Sequence, residues 1–269
     1  MSVLAIAKDQ AGDLLRRRYF IVILILGLAI IGLYIAWLAV IKRFAGAQPG
    51  MPPGASAQNE MMTQVGVVFL QASLHALVAF LGTALSVLLM CFAVRSEISR
   101  GTVRMVLSRP VRRYELVLGK WLGCVFIVFI YSLVMGVLVC VYDYYAFGRL
   151  LAFVPVSLAM GFFKAILVGS VAMALSMVLN PLLSAVIAYF AAAETFLMIS
   201  GFFSGTAEQI FRIPFYVLPS YKSLDTFWPI MAGTSIETAD VAYPAAHAML
   251  YSGLMLLIAC LLFRRRDLI

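Results

Sequence analysis

The chain has 269 residues, of which 64% are apolar by the broad count and 12% charged, with a formal net charge of +8. A soluble domain carries about a quarter charged residues, and the mean hydropathy of +1.03 agrees; a water-facing globule is excluded, and with it a soluble catalytic domain between the apolar runs. In such a chain basic residues report topology and anionic lipid headgroups, so membrane lipid is an expected partner and nucleic acid is not.

At the N-terminus, Val3, Leu4, Ala7, Ala11, Leu14 and Leu15 recur at helical spacing with Lys8 and Asp9 between them. This predicts a short helix lying on the cytoplasmic face. A bilayer core about 30 Å thick needs about 20 apolar residues in helical form, and residues 19–41 supply 23 without a charge. Arg16, Arg17 and Arg18 precede this run as they would a signal peptide. It is longer than the roughly 7–15 residues of a signal core and leads into Lys42-Arg43, so it reads as a retained helix.

Residues 44–64 contain Gln48-Pro49-Gly50-Met51-Pro52-Pro53-Gly54 and predict a flexible or partly extended loop. Further apolar runs cover about 65–94, 121–142, 153–179, 182–203 and 244–263, the fourth of the six broken only by Lys164 and the fifth only by Glu194. Asn180-Pro181 between those two predicts a tight helical hairpin. Residues 204–243 mix Ile210, Phe211, Phe215, Tyr216 and Trp228 with Pro214, Pro219 and Pro229, which predicts short helices lying at the outer interface. The fold class expected is all-α: a single polytopic membrane domain with six transmembrane helices. Fourteen Lys and Arg flank the runs on the side of both termini and of the 95–120 loop, against five on the other. That asymmetry places the termini and this loop in the cytoplasm.

A search for catalytic patterns finds no GxxxxGK[ST] phosphate loop, no HExxH and no GxSxG elbow. Cys91, Cys124, Cys140 and Cys260 lie in apolar stretches, without CxxC pairing or histidines at metal-ligand spacing, and read as buried thiols. No metal site and no catalytic residue is expected. On the second run Gln64, Gln71, His75, Gly82 and Ser86 repeat at spacings of 7, 4, 7 and 4, a stripe about 60° wide. Such a stripe faces neighbouring helices or a hydrated cavity, as packing glue or as a substrate-facing surface. Lys164 and Glu194 fall at similar depths on adjacent runs, roughly 16 and 14 Å from their outer ends, which makes them a candidate ion pair.

The cytoplasmic segment from Glu97 to Lys120 is the most distinctive. A short helix over about 102–108, ending near Pro110, carries Val103, Val106 and Leu107 as an apolar face among Arg100, Arg104 and Arg109. By composition it is either an amphipathic surface helix or a plug for a partner's groove. The segment resembles the signature of the ATP-binding-cassette type-2 permease family, roughly E-x-x-x-G-T-x-x-x-L-L-S-x-P-V-x-R-x-E-x-x-x-G-K. It matches at Glu97, Gly101, Thr102, Leu107, Ser108, Pro110, Val111, Arg113, Glu115, Gly119 and Lys120 and departs at Val106. Phe263-Arg264-Arg265-Arg266-Asp267 is similar to the family's usual ending, and Leu218-Pro219-Ser220 to a segment found before the last helix in some members.

The resemblance implies a permease subunit of the bacterial cytoplasmic membrane, paired with a second permease as homodimer or heterodimer, that exports a substrate. ATP and Mg would be bound by separate cytoplasmic ATPase subunits, so this chain would not itself be an enzyme. Residues Glu97, Gly101, Thr102, Val103, Arg104, Val106, Leu107, Arg109, Pro110 and Arg113 would then form the coupling element, and Gln71, His75, Lys164 and Glu194 are the intramembrane polar candidates. A non-transporting scaffold or assembly factor, and an intramembrane enzyme, are the alternatives.

Overall fold

The computed structural model describes residues 3–15, 18–46, 53–99, 112–148, 154–190, 192–202, 209, 218–226, 229–230 and 238–265. Among them the regular elements are helical. They are α1 (Val3–Leu15), α2 (Arg18–Gly46), α3 (Pro53–Ser99), α4 (Arg113–Phe147), α5 (Val154–Ser176), α6 (Pro181–Phe190), α7 (Ala193–Ser200), a 3₁₀ turn (Lys222–Leu224) and α8 (Thr238–Arg265). Five helices, α2, α3, α4, α5 and α8, are long and apolar enough to cross a membrane.

The structure corrects several sequence boundaries. Helix α3 begins at Pro53, so the second half of the expected 44–64 loop is helical; Pro53 sits at the start, where its missing N–H costs nothing. Helix α4 begins eight residues before the expected 121, because the Arg112 backbone N–H donates to the Glu115 carboxylate at 3.1 Å and caps the start. It ends at Gly148, whose φ of 69° lets its N–H reach the Tyr144 carbonyl at 2.8 Å. Helix α8 starts at Thr238 and carries Pro244 inside rather than at its first turn.

The largest correction concerns the fifth run. It is not one helix: α6 stops at Phe190, Ala192 is extended (φ −85°, ψ 143°), and α7 restarts at Ala193. The hairpin before it forms as expected. The carbonyl of Asn180 accepts the backbone N–H of Ser184 at 2.9 Å and its hydroxyl at 3.0 Å, with Pro181 in the first turn of α6.

Small residues let the central helices approach closely. Gly161 of α5 lies where a Cβ would be 3.1 Å from the Ala79 Cβ of α3, and Gly169 faces Ser86 and Met90 with no room for a side chain. The Trp121 indole N–H donates to the Ser170 hydroxyl at 2.9 Å and ties α4 to α5. Tyr131, Tyr142, Met135 and Leu85 fill the resulting core. By contrast α2 exposes Ile21, Val22, Ile25, Leu33 and Trp37, the surface a helix presents to lipid or to another membrane chain.

Candidate functional site

Three polar sites stand out, two within the apolar layer and one where α1, α4 and α8 meet. The first joins three helices. His75 of α3 has Nε2 3.2 Å from Asp143 Oδ2 of α4 and Nδ1 2.6 Å from the Ser157 hydroxyl of α5. Gln71, one turn before His75, donates Nε2–H to Asp143 Oδ1 at 3.0 Å. All four side chains are buried. With Asp143 ionised, His75 donates from Nε2, and its Nδ1 then depends on where Ser157 sends its single proton. The Val154 carbonyl, 2.9 Å from that hydroxyl, is the competing acceptor. If Ser157 donates to Val154, the ring donates from both nitrogens as an imidazolium; if Ser157 donates to the ring, the ring is neutral.

The line Ser157–His75–Asp143 has the connectivity of a hydrolytic triad. The cavity beside it, lined by His75, Ser157, Tyr131 and Gly161, has about 20 Å³. That is room for one water and not for an ester or amide. The rest of the stripe behaves alike: Gly82 is covered by the Tyr131 ring and Ser86 by Gly169, while Gln64 is exposed. Asp143 and Ser157 were missed from sequence because Asp143 falls one residue past the third apolar run. The aromatic sequence Tyr142-Asp143-Tyr144-Tyr145, still helical, was the available signal.

The second site holds Lys164 and Glu194, which the structure does not pair. The Glu194 carboxylate, in the first turn of α7, accepts the Ser220 hydroxyl, the Tyr221 backbone N–H at 3.2 Å and the Lys222 backbone N–H at 3.0 Å. It acts as an anchor for the segment before α8, and no ion pair joins it to Lys164 among the described residues. The reason is the break in the fifth run, which turns Glu194 toward residues 220–222. Of the segment 204–243, for which composition predicted short interfacial helices, residues 204–208, 210–217, 227–228 and 231–237 lie outside the described residues. Residues 218–226 fold in against the broken helix, with Tyr221 and Leu224 buried.

Lys164 is half-buried instead on an open cavity of about 430 Å³ between α2, α3, α5 and α6, roofed by Leu224, Asp225 and Thr226. Tyr34, Ser73, Thr83, Tyr189 and Thr226 contribute its hydroxyl groups. A single cation, one carboxylate and hydroxyls around an open cavity suit recognition of a polar group. Among the described residues no three of His, Cys, Asp and Glu gather to hold a metal ion.

The third site is where α1, α4 and α8 meet. Gly119 and Gly123, one turn apart on α4, form a trough for α1. A Cβ at Gly119 would lie 2.7 Å from Ile6 Cβ, and one at Gly123 would lie 2.9 Å from the Ala7 carbonyl. The Lys120 ammonium, between them, hydrogen-bonds Gln10 Oε1 in a buried contact. Arg113 donates to the Arg264 carbonyl in the last turn of α8 at 3.1 Å, beside the fully buried Phe263. Of the coupling candidates, Glu97 lies in the last turn of α3 and Arg113 at the start of α4. Gly101, Thr102, Val103, Arg104, Val106, Leu107, Arg109 and Pro110 lie outside the described residues.

The decisive comparison is with protein families: the sequence pattern of ABC-2 family transporter proteins matches residues 4–268. The chain belongs to the ABC-2 transporter family. A search of curated proteins returned no match. Membership in the ABC-2 family makes the chain a multi-pass membrane component of a transporter rather than a catalyst in its own right, and implies association with ABC ATPases. Within this ABC-2 chain the second half of the signature has a structural account: Glu115 caps α4, Arg113 holds the end of α8, and Gly119 and Lys120 seat α1.

Proposed function

We propose that this chain is the permease subunit of an ABC exporter of the bacterial cytoplasmic membrane, paired with a second permease subunit. ATP is hydrolysed, with Mg, by separate cytoplasmic ATPase subunits that dock on residues 97–110. The observation that carries the reading is the ABC-2 match over residues 4–268 on a chain with five membrane-length apolar helices. In this reading α6 and α7 together make the sixth crossing. At 1.5 Å per residue, residues 181–200 span roughly 30 Å, which matches the bilayer core. Both termini then lie on the side of the 95–120 loop, in accord with the excess of Lys and Arg there.

The docking test uses the apolar face Val103, Val106 and Leu107. A groove-filling helix depends on a few buried apolar anchors, whereas rim charges mainly tune encounter and salt sensitivity. Val106→Asp or Leu107→Asp should weaken co-purification of the ATPase and abolish its stimulated hydrolysis at unchanged membrane levels. Arg104→Ala should have a milder, salt-dependent effect. Full ATPase association in both Asp variants would overturn the docking assignment.

A further inference from the structure

Lys164 lies ten residues into α5, which at 1.5 Å per residue puts its Cα roughly 15 Å below the start of that helix. An ammonium at that depth is costly unless it is paired or faces water. Among the described residues Lys164 has no hydrogen bond or ion pair, and Glu194, its counterpart by sequence, is held by residues 220–222. What Lys164 does have is the 430 Å³ cavity.

The cavity lies beside the break between α6 and α7. Tyr189, on its wall, is followed within three residues by the break between α6 and α7, where Ala192 is extended. The titratable groups around the cavity are Lys164 from α5, Tyr34 from α2, Tyr189 from α6 and Asp225 from the segment after the 3₁₀ turn; the α3 wall offers Ser73 and Thr83. The Thr83 hydroxyl donates to the Ala79 carbonyl at 2.8 Å and the Ser73 hydroxyl to carbonyls of its own helix, so neither proton is directed to the cavity and Lys164 is its cationic donor. The cation is therefore deep, on a wall whose other side chains are apolar or hydroxyl-bearing, and the one acid, Asp225, sits in the exposed roof.

We propose that the cavity is an anion-recognition site in which Lys164 binds a carboxylate or phosphate group of the transported substrate, with Asp225 at the roof disfavouring a second negative charge. This rests on the permease reading for the word transported; binding itself does not depend on it. A charge-assisted hydrogen bond in a partly desolvated site is worth about tenfold or more in affinity. Lys164→Met keeps the apolar stem and removes the charge; Lys164→Arg keeps the charge.

The test uses the full chain in phosphatidylcholine nanodiscs and three labelled probes: hexadecyl phosphate, phenyl phosphate and hexadecyltrimethylammonium. Wild type should prefer hexadecyl phosphate to the quaternary ammonium probe by about tenfold, and Lys164→Met should lose that preference while Lys164→Arg retains it. Binding of phenyl phosphate as well would place the anion's source in water, and its failure to bind would place it in the lipid layer; both support the site. Equal binding of the two hexadecyl probes by wild type, no binding of either phosphate, or undiminished preference in Lys164→Met would overturn it. ATPase co-purification measured on the same samples separates this outcome from failure of the permease reading, because a wild-type chain that selects phosphate without an ATPase partner would refute only the latter.

Discussion

The Tyr221 hydroxyl donates to the carbonyl of Ala188 at 3.0 Å, the acceptor that a continuous helix would have paired with the N–H of Ala192. The break between α6 and α7 thus leaves a buried polar group, and a side chain from the segment before α8 satisfies it. Glu194, on the far side of the break, holds the backbone of the same segment. The irregularity and its cover are one unit.

Loss of either contact should loosen this unit. Tyr221→Phe leaves the Ala188 carbonyl unsatisfied, at a cost of about 1–3 kcal/mol. With Cys introduced at the buried Leu224 of an otherwise Cys-free chain, thiol labelling should be slow, and about tenfold faster when Glu194 is changed to Ala. Equal labelling rates in the two backgrounds would show that Glu194 is not the anchor.

Helix α1 supplies a prediction in which two effects have opposite signs. Ala is favoured over Gly within a helix by about 1 kcal/mol, so Gly119→Ala with Gly123→Ala would stabilise α4 taken alone. The structure leaves no space for either Cβ against Ile6 and Gln10. The double variant should therefore displace α1 and speed tryptic cleavage after Lys8. Unchanged or slower cleavage would mean that α1 is not seated in the trough.

The cluster around Asp143 should distinguish an amide from a hydrocarbon. Asp143→Leu leaves both Gln71 and His75 without their acceptor, and a loss of about 2 kcal/mol corresponds to roughly 4–8 °C in Tm for a chain of this size. Asp143→Asn should be milder, because the amide can accept from Gln71 and donate to His75 once the ring moves its proton to Nδ1, facing Ser157. Thermal inactivation of the purified variants, followed by gel-filtration recovery, checks the order; Asn and Leu variants of equal stability would remove His75 tautomerism from the account.

Orientation is open to the same chemistry in intact cells. Cysteines placed at Ser56 and Thr234 of a Cys-free chain should react with an impermeant thiol reagent, and those at Ser2 and Ser99 should not. Reaction of the second pair alone would invert the topology.

The spans that form continuous helices were readable in the sequence because span length is set by bilayer thickness. Residues 19–41 and 153–179 correspond to α2 and α5 within a few residues at most ends. The fifth run was misread for a physical reason. Ala191-Ala192-Ala193 is among the best helix-forming sequence there is, and its break reflects tertiary contacts with Tyr221 and residues 220–222 that no local pattern reports. Pairing Lys164 with Glu194 failed likewise: spacing along the chain does not report which side chains face each other, and that depends on where the helix stops. His75 and Gln71 were visible as a stripe, while their acceptor, 68 residues from His75 in sequence, was not.

The seating of α1 has a consequence for biosynthesis. Gln10 and Lys120 are 110 residues apart, so at about 5–20 residues per second the N-terminal helix leaves the ribosome roughly 5–20 s before its trough exists. During that interval α1 lacks the Gly119–Gly123 trough against which Ile6 and Gln10 finally pack. The apolar face of Ile6, Ala11 and Leu14 is therefore made well before the surface that buries it, and Gln10 among them is the group that meets Lys120 when that partner arrives.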